Sequence, residues 1–334
     1  MSPINWSRFV EMIASASTIL LTAHQRPDGD CLGCEMAMWQ AFRHLGKDVR
    51  IVNPHRTPPP LAFLDPEGVM KALAQLTDEE RHWIDEVDLI LVLDTSSWSQ
   101  LGDMASVFKA SRAKKMVLDH HVKGDDIGAE RFVDTEAEAT GALVVQAVEA
   151  LGVPLTKVMA DAAFVALSTD TGWFRFTSVG AETFRIGARL LEAGVRPADL
   201  YRELYEQESL GRIRLIGRTL AKTESHFDGK VMLSWITLDD LREAGALASD
   251  TEDIVNMTLQ VRGSSVAVLL SELKDGSYKI SFRSRCAVDC SLLAAQFSGG
   301  GHKAAAGASS LLPFEETKQA VLEAVGRALV DVER

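Results

Sequence analysis

Residues 18–30 read TILLTAHQRPDGD. A compact apolar run from Thr18 to Ala23 stops at His24, and a polar loop holding Asp28, Gly29 and Asp30 follows. Val49–Val52 is a second such run; a third, Leu89–Leu93, closes on Asp94, and a fourth, Met116–Leu118, closes on Asp119-His120-His121. Each run is short, bounded by polar or turn residues, and free of clean alternation. Strands buried on both faces of a parallel sheet read this way.

Helical stretches fall between the runs. Residues 31–46 carry apolar groups at helical spacing and stop at Gly46; residues 67–84 read as mostly helical, interrupted at Thr77-Asp78. Residues 140–151 and 156–169 read as two more helices, the second meeting Asp170-Thr171-Gly172. Strand alternating with helix predicts an α/β fold with a doubly wound, mainly parallel sheet. From 181 to 222 the pattern is helical and rich in Arg and Glu. Strands are then expected at 231–236, 265–272 and 278–284, the last two joined across Lys274–Ser277, with helices near 251–261, 289–297 and 314–332. The expected organisation is therefore a catalytic domain over 1–185, a helical connector over 186–222, and a smaller α/β domain with a mixed sheet over 223–334.

The chain has 334 residues, ample for two domains, and a net charge of −12. Such a surface repels long nucleic acid, whose binding needs clustered Lys and Arg. A small phosphate substrate remains compatible if positive charge is concentrated at one place, as bound metals would do. The four cysteines are too few for a disulfide scaffold. The apolar stretch Ala16–Ala23 is too short for a signal or membrane helix. The expectation is a soluble, cytoplasmic protein with no membrane partner.

Ligands in open α/β sheets bind outside the carboxyl ends of the strands. His24, Asp94 and Asp119-His120-His121 should therefore converge there, joined by Asp28 and Asp30 from their loop and by Asp170. Gly29 is read as allowing a sharp turn between the two aspartates. The Asp-x-Asp pair can direct one carboxylate to each of two ions. His and Asp ligands without cysteine suit manganese, magnesium or iron. Two ions about 3.5–4 Å apart need a bridging group, and Asp94 is the natural one.

These motifs, from His24-x-Arg26-Pro27-Asp28-Gly29-Asp30 through Asp94 and Asp119-His120-His121 to Asp170-Thr171-Gly172, resemble the four signatures of the DHH phosphoesterase superfamily. Gly299-Gly300-Gly301-His302-Lys303-Ala304-Ala305-Ala306-Gly307 resembles the signature of its companion domain. The pairing is similar to that of bacterial oligoribonucleases that also dephosphorylate 3′-phosphoadenosine-5′-phosphate. The resemblance implies one ion on His24, Asp28 and Asp94, another on Asp30, Asp94, His120 and Asp170, and manganese as the cofactor. It further implies that Asp119 orients a histidine, that His121 faces the reacting phosphate, and that Arg283 grips a terminal phosphate. Gly299, Gly300 and Gly301 would let backbone N–H groups approach a phosphate, and His302 would add a donor.

The expected activity is hydrolysis of short oligoribonucleotides and of 3′-phosphoadenosine-5′-phosphate, in a cleft with the connector as hinge. Alternatives are a cyclic di-AMP or linear dinucleotide phosphodiesterase, an inorganic pyrophosphatase or exopolyphosphatase, and an inactive nucleotide-binding regulator. A homodimer is left open. Cys31-Leu32-Gly33-Cys34 has the spacing of a redox motif, but a packing role beside a hard-ligand site is simpler. Trp173-Phe174-Arg175-Phe176 could stack on a base or pack in the core.

Overall fold

A computed structural model describes residues 4–332. The chain divides into two compact units between Glu206 and Gln207, a boundary inside the stretch expected to be helical connector.

The first unit runs α1 (Trp6–Ala14), β1 (Thr18–Thr22), α2 (Gly29–His44), β2 (Asp48–Asn53), β3 (Met70–Ala72), α3 (Asp78–Asp85), β4 (Leu89–Leu93), α4 (Met104–Ala110), β5 (Lys114–Asp119), β6 (Glu130–Val133), α5 (Thr140–Ala150), α6 (Lys157–Asp170), α7 (Ala181–Glu192) and α8 (Pro197–Tyr205). Its six strands are all parallel, in the order β3-β2-β1-β4-β5-β6. The strand order reverses between the neighbours β1 and β4, so their carboxyl ends flank the crevice where such sheets bind ligands. All five residues of β4 are buried, which explains its unbroken apolar sequence.

Helices α2, α5 and α6 meet closely because small residues line their contacts. A Cβ at Gly33 would lie 2.4 Å from the Ala162 carbonyl oxygen, and one at Gly141 would lie 2.6 Å from Cβ of Ala166. This packing brings the first turns of α2 and α5 and the last turn of α6 to the crevice. Residues 67–84 differ from the expected helix: β3 occupies Met70–Ala72, a 3₁₀ turn follows, and α3 starts only after Thr77 caps it through Glu80 N–H. A three-residue edge strand is too short to show a periodicity, and its pairing with β2 decides its state.

The second unit runs α9 (Leu210–Ala221), β7 (Glu224–His226), β8 (Val231–Ile236), α10 (Leu238–Ala244), α11 (Ile254–Thr258), β9 (Val266–Glu272), β10 (Tyr278–Ser284), α12 (Cys290–Ala295), β11 (Gly300–Gly301), β12 (Ala305–Ser310) and α13 (Phe314–Val332). Its sheet, β11-β12-β10-β9-β8-β7, is mixed: β8 and β9 are parallel and the other pairs antiparallel. The hairpin between β9 and β10 closes through Leu273 N–H to the Ser277 carbonyl at 2.8 Å, with Gly276 at φ 82°. The expected helix near 251–261 shrinks to a 3₁₀ turn and the five residues of α11, separated where Asp253 adopts φ 61°. Strand β12, sequence AAGASS, lacks the branched residues that mark strands; its state comes from pairing with β10.

No helix among the described residues is long and apolar enough to cross a membrane.

Candidate metal centre

Each strand-end residue is set by where its strand stops. His24 lies two residues past β1, Asp94 directly follows β4, and Asp119 ends β5 with His120 and His121 after it. Asp94 adopts φ 60°, a left-handed backbone that aspartate tolerates better than most residues, and its N–H donates to the Leu118 carbonyl at 3.0 Å. Asp28 caps α2: its Oδ1 accepts from the N–H groups of Asp30 at 3.0 Å and Cys31 at 3.1 Å, which leaves Oδ2 for His24. Gly29 is the first residue of α2 and not a turn. It must be glycine for another reason, since a Cβ there would lie 2.5 Å from Thr169 Oγ1. Asp170 is the last residue of α6.

The side chains meet around Asp94, which is 3% exposed. Its Oδ2 lies 3.5 Å from His24 Nε2, which is itself 3.6 Å from Asp28 Oδ2. Its Oδ1 lies 3.7 Å from His120 Nε2, which is 3.4 Å from Asp170 Oδ2. One carboxylate thus turns an oxygen to each of two imidazole–aspartate pairs. Ligand atoms of Asp30, His120 and Asp170 also lie within 4.8 Å of one another.

Asp30 completes the second group through an interaction that the sequence reading missed. Helix α5 begins after Ala139, which has no side chain able to cap it. Asp30 takes that role from α2, accepting from Thr140 N–H at 2.8 Å and Gly141 N–H at 2.9 Å. Asp30 Oδ1 also accepts from Cys34 Sγ at 3.3 Å, and Oδ2 keeps a further lone pair. The Thr140 hydroxyl donates to Asp94 Oδ1 at 2.7 Å. A helix starting after alanine was the available signal, because its first N–H groups need an acceptor from elsewhere.

The two adjacent histidines are held differently. His120 Nδ1 sits 3.1 Å from the Ala137 carbonyl, which fixes Nδ1 as donor and turns Nε2 to the carboxylates. His121 Nδ1 and N–H lie 2.8 Å and 3.0 Å from Asp119 Oδ1. Asp119, fully buried, accepts from Ser96 through its other oxygen at 2.8 Å. The Asp119 hydrogen bond raises His121 above the ordinary imidazole range. Burial opposes a charged Asp119, but its hydrogen bonds outweigh that and hold it low.

Electrostatics across the cluster call for cations. The ion-pair partners of these carboxylates are imidazoles. Burial, then Asp94 and Asp170, push Asp30 well above the usual carboxylate range; burial also raises Asp170. Burial disfavours a charged His24, yet Asp28 and Asp94 outweigh it and draw a proton there, raising it to about 10. Four converging carboxylates, of which Asp30 and Asp170 are raised, beside an imidazole that draws a proton, fit divalent ions bound among oxygen and nitrogen donors. Cys31 and Cys34 are buried, and burial raises both thiols well above their ordinary value, the opposite of a reactive pair.

In the second unit, Arg283 lies on β10 opposite Ala305 of β12, and its Nη1 donates to the Phe282 carbonyl at 3.0 Å. His302 is exposed, with its N–H donating to the Ala305 carbonyl at 2.8 Å. Arg283 and the Gly299–His302 segment, in which Gly300 and Gly301 pair with β12 as strand β11, therefore share one end of the sheet. A Cβ at Gly299 would lie 2.2 Å from the Gly307 carbonyl oxygen, so the close approach of β12 requires that glycine. Gly300 faces open space and is exposed. Beside Asp170, Gly172, Trp173 and Phe174 adopt φ 56°, 58° and 62° in succession. Trp173 packs edge-on against Phe164 and Tyr201 at 5.8 and 5.0 Å, so at least that ring serves packing.

Residues 18–167 match the model of the DHH family, N-terminal domain, and residues 228–331 match that of the DHHA1 domain. A Thermus thermophilus protein named bifunctional oligoribonuclease and PAP phosphatase NrnA is 30% identical over 319 residues, covering 93% of this chain and 90% of that one. A Bacillus subtilis protein of the same name is 26% identical, covering 91% and 92%. The crystal structure of an exopolyphosphatase-related protein from Bacteroides fragilis has a TM-score of 0.83 at 26% identity, covering 98% of this chain and 97% of that one.

Proposed function

The chain belongs to the DHH family of phosphoesterases with a companion DHHA1 domain, and from that premise we propose that it hydrolyses short oligoribonucleotides to mononucleotides and removes the 3′-phosphate of 3′-phosphoadenosine-5′-phosphate. The observation that carries this reading is the position of Asp94, with one oxygen toward His24 and the other toward His120. The names of the relatives support the substrate class.

In this reading His24, Asp28 and Asp94 hold one divalent ion, and Asp30, Asp94, His120 and Asp170 hold a second; manganese suits the donor set. Such a pair, when bound, lowers the pKa of water and offsets the charge of attacking and leaving oxygens in phosphoryl transfer. Asp94 keeps both halves of the centre in register. His121, oriented by its contact with Asp119, donates a hydrogen bond to the reacting phosphate. Arg283 and the backbone of Gly300 and Gly301, with His302, take a terminal phosphate; Gly299 shapes the turn, because its N–H is already given to the Ala294 carbonyl at 2.9 Å. Hydrolysis then resides in residues 1–185 and grip in 223–334, with 186–222 as connector.

Turnover of a panel with manganese present tests the reading: short RNAs, short DNAs, 3′-phosphoadenosine-5′-phosphate, cyclic di-AMP, its linear form and pyrophosphate. Short RNA and 3′-phosphoadenosine-5′-phosphate should be the best substrates. A protein that cleaves pyrophosphate or cyclic di-AMP and leaves both of these intact has another function.

A further inference from the structure

Glu35 is fully buried on α2, one helical turn beyond Cys31. Its Oε2 accepts from Asn53 Nδ2 at 2.7 Å, and Asn53 Oδ1 accepts from Ala23 N–H at 3.0 Å. Asn53 is the last residue of β2, and Ala23 is the first residue beyond β1, next to His24. The β1–β2 pairing runs through Leu21 and Ile51. Where the strands part, an amide side chain takes over from the ladder and holds the backbone that delivers His24. Glu35 anchors that amide from the same helix whose first turn carries Asp28 and Asp30.

The arrangement is a poor choice for packing alone. Glu35 Oε1 is buried without a hydrogen-bond partner. Leucine would fill a similar volume and leave no oxygen unpaired; it could not accept from Asn53. Asn53 is 2% exposed, so no bulk water is available to replace the lost acceptor.

We propose that Glu35 is a positioning residue of the metal centre: through Asn53 it fixes the backbone at Ala23, and with it the spacing of His24 on the strand from Asp28 and Asp30 on the helix. The proposal rests on the reading of His24 and Asp28 as metal ligands. Groups that orient metal ligands from behind commonly change metal affinity 10–100-fold when removed.

Calorimetric titration of the full chain with manganese at pH 7, beside the melting temperature of the metal-free protein, tests this. Burial raises Glu35 to about 8, so at pH 7 the substitutions change hydrogen bonding more than charge. Glu35→Leu should weaken manganese binding about tenfold or more. Glu35→Gln, whose amide oxygen can still accept from Asn53, should stay within about twofold of wild type. A residue that only packs would lower the melting temperature and leave manganese affinity unchanged in both variants. Wild-type affinity in Glu35→Leu, or equal weakening in both variants, overturns the proposal. If Glu35→Leu does not fold, Asn53→Ala removes the same link from its other end, and unchanged affinity there overturns it equally. His24→Ala separates the two levels: normal manganese binding in that variant sinks the ligand assignment itself, whereas weak binding there with normal binding in Glu35→Leu removes only the positioning role.

Discussion

Thr140 donates its hydroxyl to Asp94 Oδ1 across 2.7 Å, while its backbone N–H holds Asp30 Oδ2 at 2.8 Å. One residue at the start of α5 thus orients a carboxylate on a strand end and another on a helix. Both belong to the cluster.

Removing the hydroxyl should therefore loosen metal binding without disturbing the core. Thr140→Val keeps the shape and leaves Asp94 without its donor, and manganese affinity should fall by about tenfold. Thr140→Ser keeps the donor and should bind normally. Calorimetry on the two variants checks this; equal affinities would show that Asp94 is oriented without Thr140.

The protonation of the cluster sets how the metal-free protein responds to pH. Asp28 and Asp94 raise His24 from 6.5 to about 10 against the effect of burial. A raised imidazole stabilises the fold fully below pH 6.5 and loses that contribution as pH climbs toward 10. Burial raises Glu35 from 4.5 to about 8, so its cost to the fold grows across that interval as the unfolded chain ionises first. Asp30 is shifted in the same direction. The carboxylates with lowered values, Asp28 and Asp119, act below 3.8 and not in this window. The metal-free protein should melt at lower temperature at pH 8.5 than at pH 6, and saturating manganese should flatten the slope. A metal-free protein that melts higher at pH 8.5 than at pH 6 would contradict that sign, and parallel slopes with and without manganese would contradict the flattening.

The glycine loop separates folding from binding. Gly299→Ala places a Cβ against the Gly307 carbonyl and should destabilise the second unit by about 1–3 kcal/mol. Gly300→Ala meets open space and should melt like wild type. If the loop grips phosphate, Gly300→Ala should raise KM with little change in kcat. A Gly300→Ala variant with wild-type KM would take that residue out of the grip.

His302→Ala and Arg283→Ala should likewise raise KM for 3′-phosphoadenosine-5′-phosphate by about tenfold or more, the scale of a charge-assisted hydrogen bond. Manganese affinity should not move, because neither residue is among the proposed ligands. A loss of manganese binding in either variant would assign it a different role.

Much of the fold was readable because it follows local rules. The runs at Leu89–Leu93, Val231–Ile236 and Tyr278–Ser284 and the final helix from Phe314 fall where the pattern put them. Strand ends also brought His24, Asp94 and His120 together, since one sheet edge collects whatever its strands deliver. What escaped the reading depends on distant partners. Strands β3 and β12 are strands because β2 and β10 pair with them. The role of Thr140 depends on α5 meeting α2, and the carbonyl that orients His120 comes from Ala137, a residue with no chemical signature. Gly29 and Gly299 read as loop glycines, yet close packing against Thr169 and Gly307 is what requires them.

The central claim is that Asp94 joins two metal-binding halves into one hydrolytic centre. Its most direct test is hydrolysis of a short RNA by Asp94→Ala at saturating manganese, with the number of bound ions measured on the same sample. Wild type should bind two ions and turn over; the variant should lose at least one ion and about a thousandfold or more of its activity, the scale set by removing electrostatic stabilisation of a transition state. Wild-type turnover by Asp94→Ala would contradict the account.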